Sequence, residues 1–164
     1  MPASSTLRPV LTIASLLLVI AITSACGGHS PRQIRGELPA IHLDSLTRTN
    51  DRVEVDIGIR NLNDSPLTIP SIQIALTVND EPATELIDEQ LELTVGARGR
   101  EVIRLTGSSA SNLDENLDLL TSGERSSLPW SMDVELGRST GRGTRQTEAN
   151  GFLHRVPGRL DSFR

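Results

Sequence analysis

The chain of 164 residues contains a single cysteine, no tyrosine and few aromatic side chains, namely Trp130, Phe152 and Phe163. One cysteine excludes an internal disulfide and any zinc site built from several thiolates. There are only three histidines, so the side chain most often used for general acid–base catalysis is scarce. This composition argues against an enzyme, and it predicts no cofactor.

Basic charge is also limited, and arginine carries all of it because the chain has no lysine. The 16 basic residues stand against 21 acidic ones, which gives a formal net charge of −5. A nucleic-acid-binding domain needs a basic face that replaces condensed counterions. No nucleic-acid partner is therefore expected. The length predicts one domain, with appendages at most.

An uncharged, mostly apolar stretch runs from Val10 to Ile22, directly after Arg8 and Pro9. It is too short to cross a hydrocarbon core of about 30 Å, which needs about 20 helical residues. Its length is typical of the hydrophobic region of a signal peptide, and small residues follow where cleavage would occur. The N-terminal sequence therefore predicts export.

The next residues, Thr23-Ser24-Ala25-Cys26, resemble the lipobox of bacterial lipoproteins, although leucine is more usual at the position of Thr23. In that family the cysteine thiol receives a diacylglycerol, the preceding peptide is removed, and the new amine is acylated. The resemblance implies a signal peptide over residues 1–25 and lipidation at Cys26. The alternative is an ordinary secretory signal cut near Ala25, which would leave a free cysteine.

Lipidation would attach the mature chain, residues 26–164, to a membrane surface facing the periplasm. Acyl chains contribute about 0.8 kcal/mol per buried CH₂, so three chains hold a protein far more firmly than one myristoyl group. Gly27 follows Cys26, where an aspartate would signal retention at the inner membrane. By resemblance to enterobacterial sorting, this favours the outer membrane. Residues 26–36 are predicted to be the lipidated N-terminus and a tether.

Alternating apolar residues predict β-strands after residue 39. The clearest run is Val53, Val55, Ile57 and Ile59, which alternates with polar or small residues as in a half-buried antiparallel strand. Further strands are predicted within residues 72–78, 91–95, 102–105, 128–136 and 151–156. Turn-forming residues occur at 61–66, at 79–82 and at Asn150-Gly151.

Many short strands with turn signals between them predict an all-β domain, an antiparallel β-sandwich of the immunoglobulin or fibronectin type, over residues 37–157. Trp130 is expected to be its largest core residue. One short helix is predicted, because Leu113, Leu117 and Leu120 follow helical spacing. Asn112 and Glu115 are spaced as a capping box at its start, and Gly123 is placed to end it.

Two segments are predicted to lack regular structure. Residues 137–145 (GRSTGRGTR) have the composition of a flexible loop between the last two strands. Residues 158–164 are mostly polar and are expected to fray as a C-terminal tail.

Several motifs together resemble the late embryogenesis abundant (LEA) type 2 family, also called the water stress and hypersensitive response (WHy) domain. Residues 59–69 (IRNLNDSPLTI) are similar to its signature turn, with Leu62 where the family commonly has proline. Residues 72–79 are similar to the strand that follows. Residues 93–99 (LTVGARG) and 119–123 (LLTSG) are similar to a later turn and to the end of the helix.

This resemblance implies a folded β-sandwich, a role in desiccation or general stress response, and no established catalytic activity. Bacterial proteins of this kind are commonly lipoproteins. The alternative function is an envelope binding or assembly module, which holds an apolar ligand such as a lipid or docks another envelope protein. A pocket between the sheets or a large apolar outer patch would favour that alternative. The oligomeric state stays open.

Asn61 and Asn63, the asparagines of the family's turn motif, are interpreted as structural. Their side chains are expected to bond backbone groups across the turn, and a binding surface is the other reading. His42 and His154 lack histidine or cysteine neighbours at ligand spacing, so strand-face positions are favoured over a metal site. His29 lies in the predicted tether.

The remaining candidates are also interpreted as structural. The acidic residues between Asp80 and Glu92 lack the spacing of a calcium loop, which favours a solvated strand face. Residues 137–145 have arginines that would suit an anionic headgroup or polysaccharide, but a connecting loop is favoured. Ser108, Ser109 and Ser111 lack the Gly-x-Ser-x-Gly arrangement of a nucleophile.

Overall fold

The computed structural model describes residues 36–140 and 142–164. Within these ranges the chain forms ten strands and one helix, in the order β1 (Ala40–Thr49), β2 (Arg52–Arg60), β3 (Leu67–Ile69), β4 (Ile72–Val78), β5 (Glu81–Asp88), β6 (Leu93–Val95), β7 (Arg100–Ser108), α1 (Ser111–Ser122), β8 (Leu128–Gly137), β9 (Thr144–Leu153) and β10 (Ser162–Phe163). In this part of the chain, no helix has the length and apolar character needed to cross a membrane. The predicted signal peptide, Cys26 and residues 26–35 of the tether lie outside the described residues and stay predictions.

The strands form two four-stranded sheets and one small ribbon. Sheet 1 has the order β10, β1, β2, β7, and sheet 2 has the order β5, β4, β8, β9. The strands β3 and β6 pair separately. Every strand pair is antiparallel. The predicted all-β sandwich with one short helix is confirmed.

Buried side chains from both sheets form one hydrophobic core. Alternate residues of β2, β4 and β8 are buried along the whole length of each strand, because successive side chains point to opposite faces of a sheet. Burying one such aliphatic side chain stabilises the fold by about 1.5–3 kcal/mol, so the apolar alternation decides which face turns inward. Trp130 is part of this core, as expected, and lies opposite Gly151 on β9, where a Cβ would contact the indole ring.

The helix is predicted correctly in its core face and its end, but not in its start. Leu113, Leu117 and Leu120 are buried, and Gly123 ends the helix with a φ of 80°. The predicted capping box is wrong. The helix begins at Ser111, and its N-cap residue makes no side-chain cap hydrogen bond. The Asn112 amide instead donates hydrogen bonds to the strand β5 that packs beside it.

Strand β5 was not predicted, because its residues were read as a turn followed by an acidic run. The turn comprises only Asn79 and Asp80, with φ values of 54° and 63°, as in a tight two-residue hairpin. The new strand then begins at Glu81, opposite Val78. Because few of its side chains are apolar and buried, β5 lacks the alternation that identifies the strands beside it.

The prediction for residues 137–156 is wrong in its boundaries. Strand β9 begins at Thr144, so the connection between β8 and β9 is shorter than the predicted loop. Asn150 and Gly151 lie inside β9 and form no turn. The strand is at the edge of sheet 2, and its inward residues such as Thr147 and Ala149 are only half-buried. An edge strand with a small, polar inner face carries no apolar alternation.

The C-terminal tail is ordered, which contradicts the expectation that it frays. Strand β10 pairs with β1, with Phe163 opposite Leu46. The main chains of His154 and Arg164 exchange two hydrogen bonds of 2.7 and 2.9 Å. Phe163 is 0% exposed. A single buried aromatic side chain, with the backbone hydrogen bonds beside it, therefore ties the tail to sheet 1.

Replacing Phe163 by alanine should lower the free energy of unfolding by about 3–5 kcal/mol, because a buried aromatic ring leaves a large cavity. The matched control is Leu160→Ala in the same segment, where the side chain is 67% exposed and the expected change is within about 0.5 kcal/mol. Chemical denaturation of both variants measures the difference. Equal stability of the two variants would show that the tail does not contribute to the core.

Candidate functional site

Asn61 lies directly after β2, and its side chain is 0% exposed. Its amide nitrogen lies within hydrogen-bond distance of the carbonyl oxygens of Ser65 (2.8 Å), Gly96 (3.0 Å) and Val95 (3.2 Å). The first oxygen belongs to the turn after β2, and the other two lie at the end of β6. One side chain therefore connects two separate segments of the backbone, the turn after β2 and the end of β6.

Asn63 extends this network to the segment that precedes β1. Its backbone N–H and its amide nitrogen both donate to Asn61 Oδ1, at 2.9 and 3.0 Å. Its side chain also pairs with the main chain of Glu37, donating to the carbonyl oxygen (2.9 Å) and accepting from the N–H (2.8 Å). The side chain of Asn63 thus holds the backbone at the point where the predicted tether meets the sandwich.

These hydrogen bonds are those that a structural role requires. Asn63 is 5% exposed, and its backbone carbonyl also accepts from the N–H of Arg98 at 3.0 Å. Among the described residues, no buried side-chain nitrogen or oxygen lacks a hydrogen-bond partner. The two amides are therefore occupied within the protein, and they leave little of their polar surface for a ligand.

Charged residues on the outer face of sheet 1 form an ordered network. Asp56 on β2 lies opposite Arg104 on β7 and opposite Ser45 on β1. The guanidinium makes two hydrogen bonds to the carboxylate, of 2.7 and 3.0 Å, and the serine hydroxyl donates a third of 2.9 Å. The Arg104 guanidinium holds the pKa of Asp56 below its usual value, partial burial opposes this, and the Ser45 hydrogen bond lowers the pKa further.

A second ion pair on this face depends on a glycine. Arg100 on β7 bonds the carboxylate of Asp44, which lies in a bulge of β1. The pair crosses the surface of β2 above Gly58, where a Cβ would collide with both side chains. The absence of a side chain at Gly58 is therefore a requirement of this contact.

The structure spreads the other sequence candidates over separate elements. His42 is exposed on β1, and His154, just after β9, lies 3.1 Å from the carbonyl oxygen of Ser126. Glu81 accepts hydrogen bonds from α1, and Glu85 accepts one from Gln73 at 2.6 Å. In the part of the chain that the structure describes, no group of three or more His, Cys, Asp or Glu side chains is placed to hold a metal ion.

Among the candidate serines near the start of the helix, Ser109 makes local hydrogen bonds. Ser109 Oγ lies 3.2 Å from the carboxylate of Asp114 and 3.3 Å from the carbonyl oxygen of Ala110. Beside them, an open groove of about 620 Å³ runs between the β4–β5 hairpin and the start of α1, lined by residues such as Ala75, Pro82 and Ala110. This groove is open to the surface, and two buried core residues, Leu76 and Ala83, also line it.

The predicted loop after β8 forms part of a second, smaller pocket. Arg138, Ser139 and Thr140 lie on one side of it, and Arg145, at the start of β9, contributes a second guanidinium. Sequence reasoning identified these arginines but not their neighbour Thr68 on β3, which is distant in the chain.

No family model matches the chain, and no curated protein sequence matches it. Among solved structures, it is similar to the crystal structure of a protein from Archaeoglobus fulgidus, with 10% sequence identity, a TM-score of 0.46, and coverage of 73% of this chain and 98% of that one. It is also similar to the solution structure of a protein from Arabidopsis thaliana, with 14% identity, a TM-score of 0.44, and coverage of 74% and 87%. A third solution structure, of a protein provisionally described as a late embryogenesis abundant (LEA) protein, has 14% identity, a TM-score of 0.44, and coverage of 90% and 85%. Values this low do not establish membership of a family.

Replacing Asn61 by alanine should lower the free energy of unfolding by about 2–4 kcal/mol, since three carbonyl oxygens lose their shared donor in a buried site. Asn150→Ala is the control, because Asn150 is exposed on β9 and should change stability by about 0.5 kcal/mol or less. Urea denaturation provides the measurement. A loss below 1 kcal/mol for Asn61→Ala would mean that the turn does not depend on this amide.

The Asp56 network should show a defined pH dependence. The folded-state pKa of Asp56 is lowered, so its contribution to stability is present above the unfolded pKa of about 3.9 and is lost as the pH falls through the folded value. The pair is partly exposed, so Asp56→Asn should cost at most about 1 kcal/mol at neutral pH. This difference should shrink in acid below about pH 4. A difference that grows on acidification would contradict the sign, and a double-mutant cycle with Arg104→Gln isolates the pair.

Proposed function

We propose that this chain is a non-catalytic lipoprotein of the bacterial cell envelope. In this proposal its β-sandwich is a domain of the LEA type 2 (WHy) family, and it acts in the response to desiccation or other water stress. The membrane is its partner through lipid on Cys26. The domain faces the periplasm, and the membrane is the outer one.

The observation that carries the family assignment is the buried asparagine turn. The residues that resemble the family's signature, 59–69, contain Asn61 and its acceptor Ser65. The second resembling segment, 93–99, supplies the other two acceptors, Val95 and Gly96. Two motifs recognised separately in the sequence therefore meet at one side chain. This convergence supports the reading of the motifs as one structural unit.

The lipoprotein assignment is supported by the N-terminal sequence and by the place where the sandwich begins. The side chain of Asn63 binds the main chain of Glu37. The predicted tether is therefore limited to the residues between Cys26 and Glu37. Ten extended residues span at most about 35 Å. A lipid on Cys26 would therefore keep the sandwich close to the membrane surface.

A folded mechanism of protection follows from the core. The buried residues of β2, β4 and β8 belong to one hydrophobic core, which supports a domain that is folded before any water is lost. Protection in this proposal comes from a preformed domain held at the membrane. It does not come from a disordered chain that gains structure on drying.

The anchor is tested by metabolic labelling with radioactive palmitate. Only the thiol of Cys26 can accept the diacylglyceryl group, so Cys26→Ser should abolish labelling and leave an uncleaved or missorted precursor. Equal incorporation of palmitate in the variant and the wild type would reject the lipobox interpretation.

The stress role is tested by survival after drying in a deletion strain. The wild-type gene should restore survival, and Ile74→Asn should not, because an unpaired polar group at this 0% exposed position costs several kcal/mol and approaches the whole stability of a small domain. The matched control is Ala75→Asn, on the exposed face of the same strand, which should restore survival.

Three results would contradict this proposal. Full rescue by Ile74→Asn would show that a folded domain is not needed. Failure of a folded Ala75→Asn variant would favour the ligand-binding alternative, since Ala75 lines the open groove beside α1. Unchanged survival of the deletion strain under every drying or osmotic challenge would reject the stress role itself.

A further inference from the structure

The small pocket beside the β8–β9 connection has the size and lining of an anion site. Its volume is about 50 Å³, whereas one water molecule needs only about 10–15 Å³ by the same kind of measure. The buried side chains of Ile69 and Leu136 form its apolar part. Its polar lining residues include two arginines, Arg138 and Arg145, and three residues with hydroxyl groups, Thr68, Ser139 and Thr140. The Thr68 hydroxyl lies 3.3 Å from the hydroxyl of Thr94.

The charge of this pocket is not compensated. None of its lining residues is acidic. Among the described residues, four other arginines have carboxylate partners, but neither Arg138 nor Arg145 forms an ion pair; the paired ones are Arg48, Arg98, Arg100 and Arg104.

The second arginine of the lining is half-buried in the sheet. Arg145 lies opposite Leu136 and points to the inward side of sheet 2, where it is half-buried. Glu148, the acidic residue nearest to Arg145 in the sequence, is exposed on the opposite face of β9. Glu135 on β8 also belongs to that face and accepts a hydrogen bond of 2.7 Å from Gln146. A half-buried cation with no carboxylate at hand favours an anionic ligand.

We propose that this pocket, which we call the arginine pocket, binds the phosphate group of an anionic lipid headgroup. Guanidinium forks match phosphate oxygens bidentately, and hydroxyls add further donors at short range. Pro39, which immediately precedes β1, also lines the pocket. The arginine pocket therefore lies at the end of the sandwich where the chain leads back toward Cys26. Its assignment to a membrane lipid rests on the proposed attachment at that residue.

Bound in this way, the lipid phosphate would fix the orientation of the domain. Acyl chains at Cys26 would by themselves restrict only its distance from the membrane, because attachment at a single point does not fix an orientation. A second contact at the arginine pocket would orient the domain so that the turns containing Asn61 and Arg138 face the headgroups. The end of the sandwich that carries α1 would then face away from the membrane.

The test uses the full chain in a neutral maltoside detergent. It is titrated with a short-chain phosphatidylglycerol and, separately, with inorganic phosphate, while the Nε–H resonances of the arginines are followed by NMR. Phosphatidylglycerol should shift the resonances of Arg138 and Arg145. The variant R138Q/R145Q should weaken binding at least tenfold without a change in melting temperature. The variant R138K/R145K, which keeps the charge but not the fork, should have an intermediate affinity.

Arg142→Gln is the matched control, because Arg142 is an exposed arginine of the same connection that does not line the pocket. It should leave the affinity within twofold of the wild type. An equal loss in Arg142→Gln, or no shift of either pocket arginine, would overturn the site. Equal affinity for inorganic phosphate would overturn the assignment to a lipid. Palmitate labelling at Cys26 is unaffected by these variants, so failure of the pocket and failure of the lipid anchor are distinguished.

Discussion

The end of the sandwich at which β1 begins depends on the hydrogen bonds of the Asn61 carboxamide. A buried amide that lacks partners costs about 1–3 kcal/mol, so the two backbone segments around it must come together for the fold to be stable. Those segments belong to the turn after β2 and to the turn between β6 and β7. Asn63 connects this network to Glu37 through two hydrogen bonds between its side chain and the Glu37 main chain. The path of the chain into β1 is thus set by hydrogen bonds that also define the turns.

The sequence predicts the fold well where one face of an element is apolar throughout. Strands β2, β4 and β8 lie inside their sheets, and each buries every second residue. Strands β5 and β9 lie at the two edges of sheet 2, where a side chain such as Thr147 is accommodated without full burial. Their pairing is decided by neighbours that are distant in the chain. A local pattern therefore contains little information about them.

For the candidate site too, the sequence predicts the type of contact but not the residues that take part in it. Asparagines in a turn suggest hydrogen bonds to the backbone, and the expected type of contact is observed, but the partner of Asn63 at Glu37 is 26 positions away. The arginines after β8 were recognised as suited to an anion. Their position beside Thr68 depends on the packing of the β3–β6 ribbon against the end of β8. The spacing of residues in the sequence does not predict this packing. Residue types indicate what a group can bind, and the tertiary structure decides what it meets.

The pairing of β1 with β10 has a consequence for biogenesis. The first strand of the described domain is completed at its outer edge by the last one, through Leu46 and Phe163. A chain that emerges N-terminus first cannot complete this sheet until Phe163 has emerged as well. Loop-closure entropy also makes such a distant pairing slow to form. The topology therefore delays the final folding step until the whole domain is available.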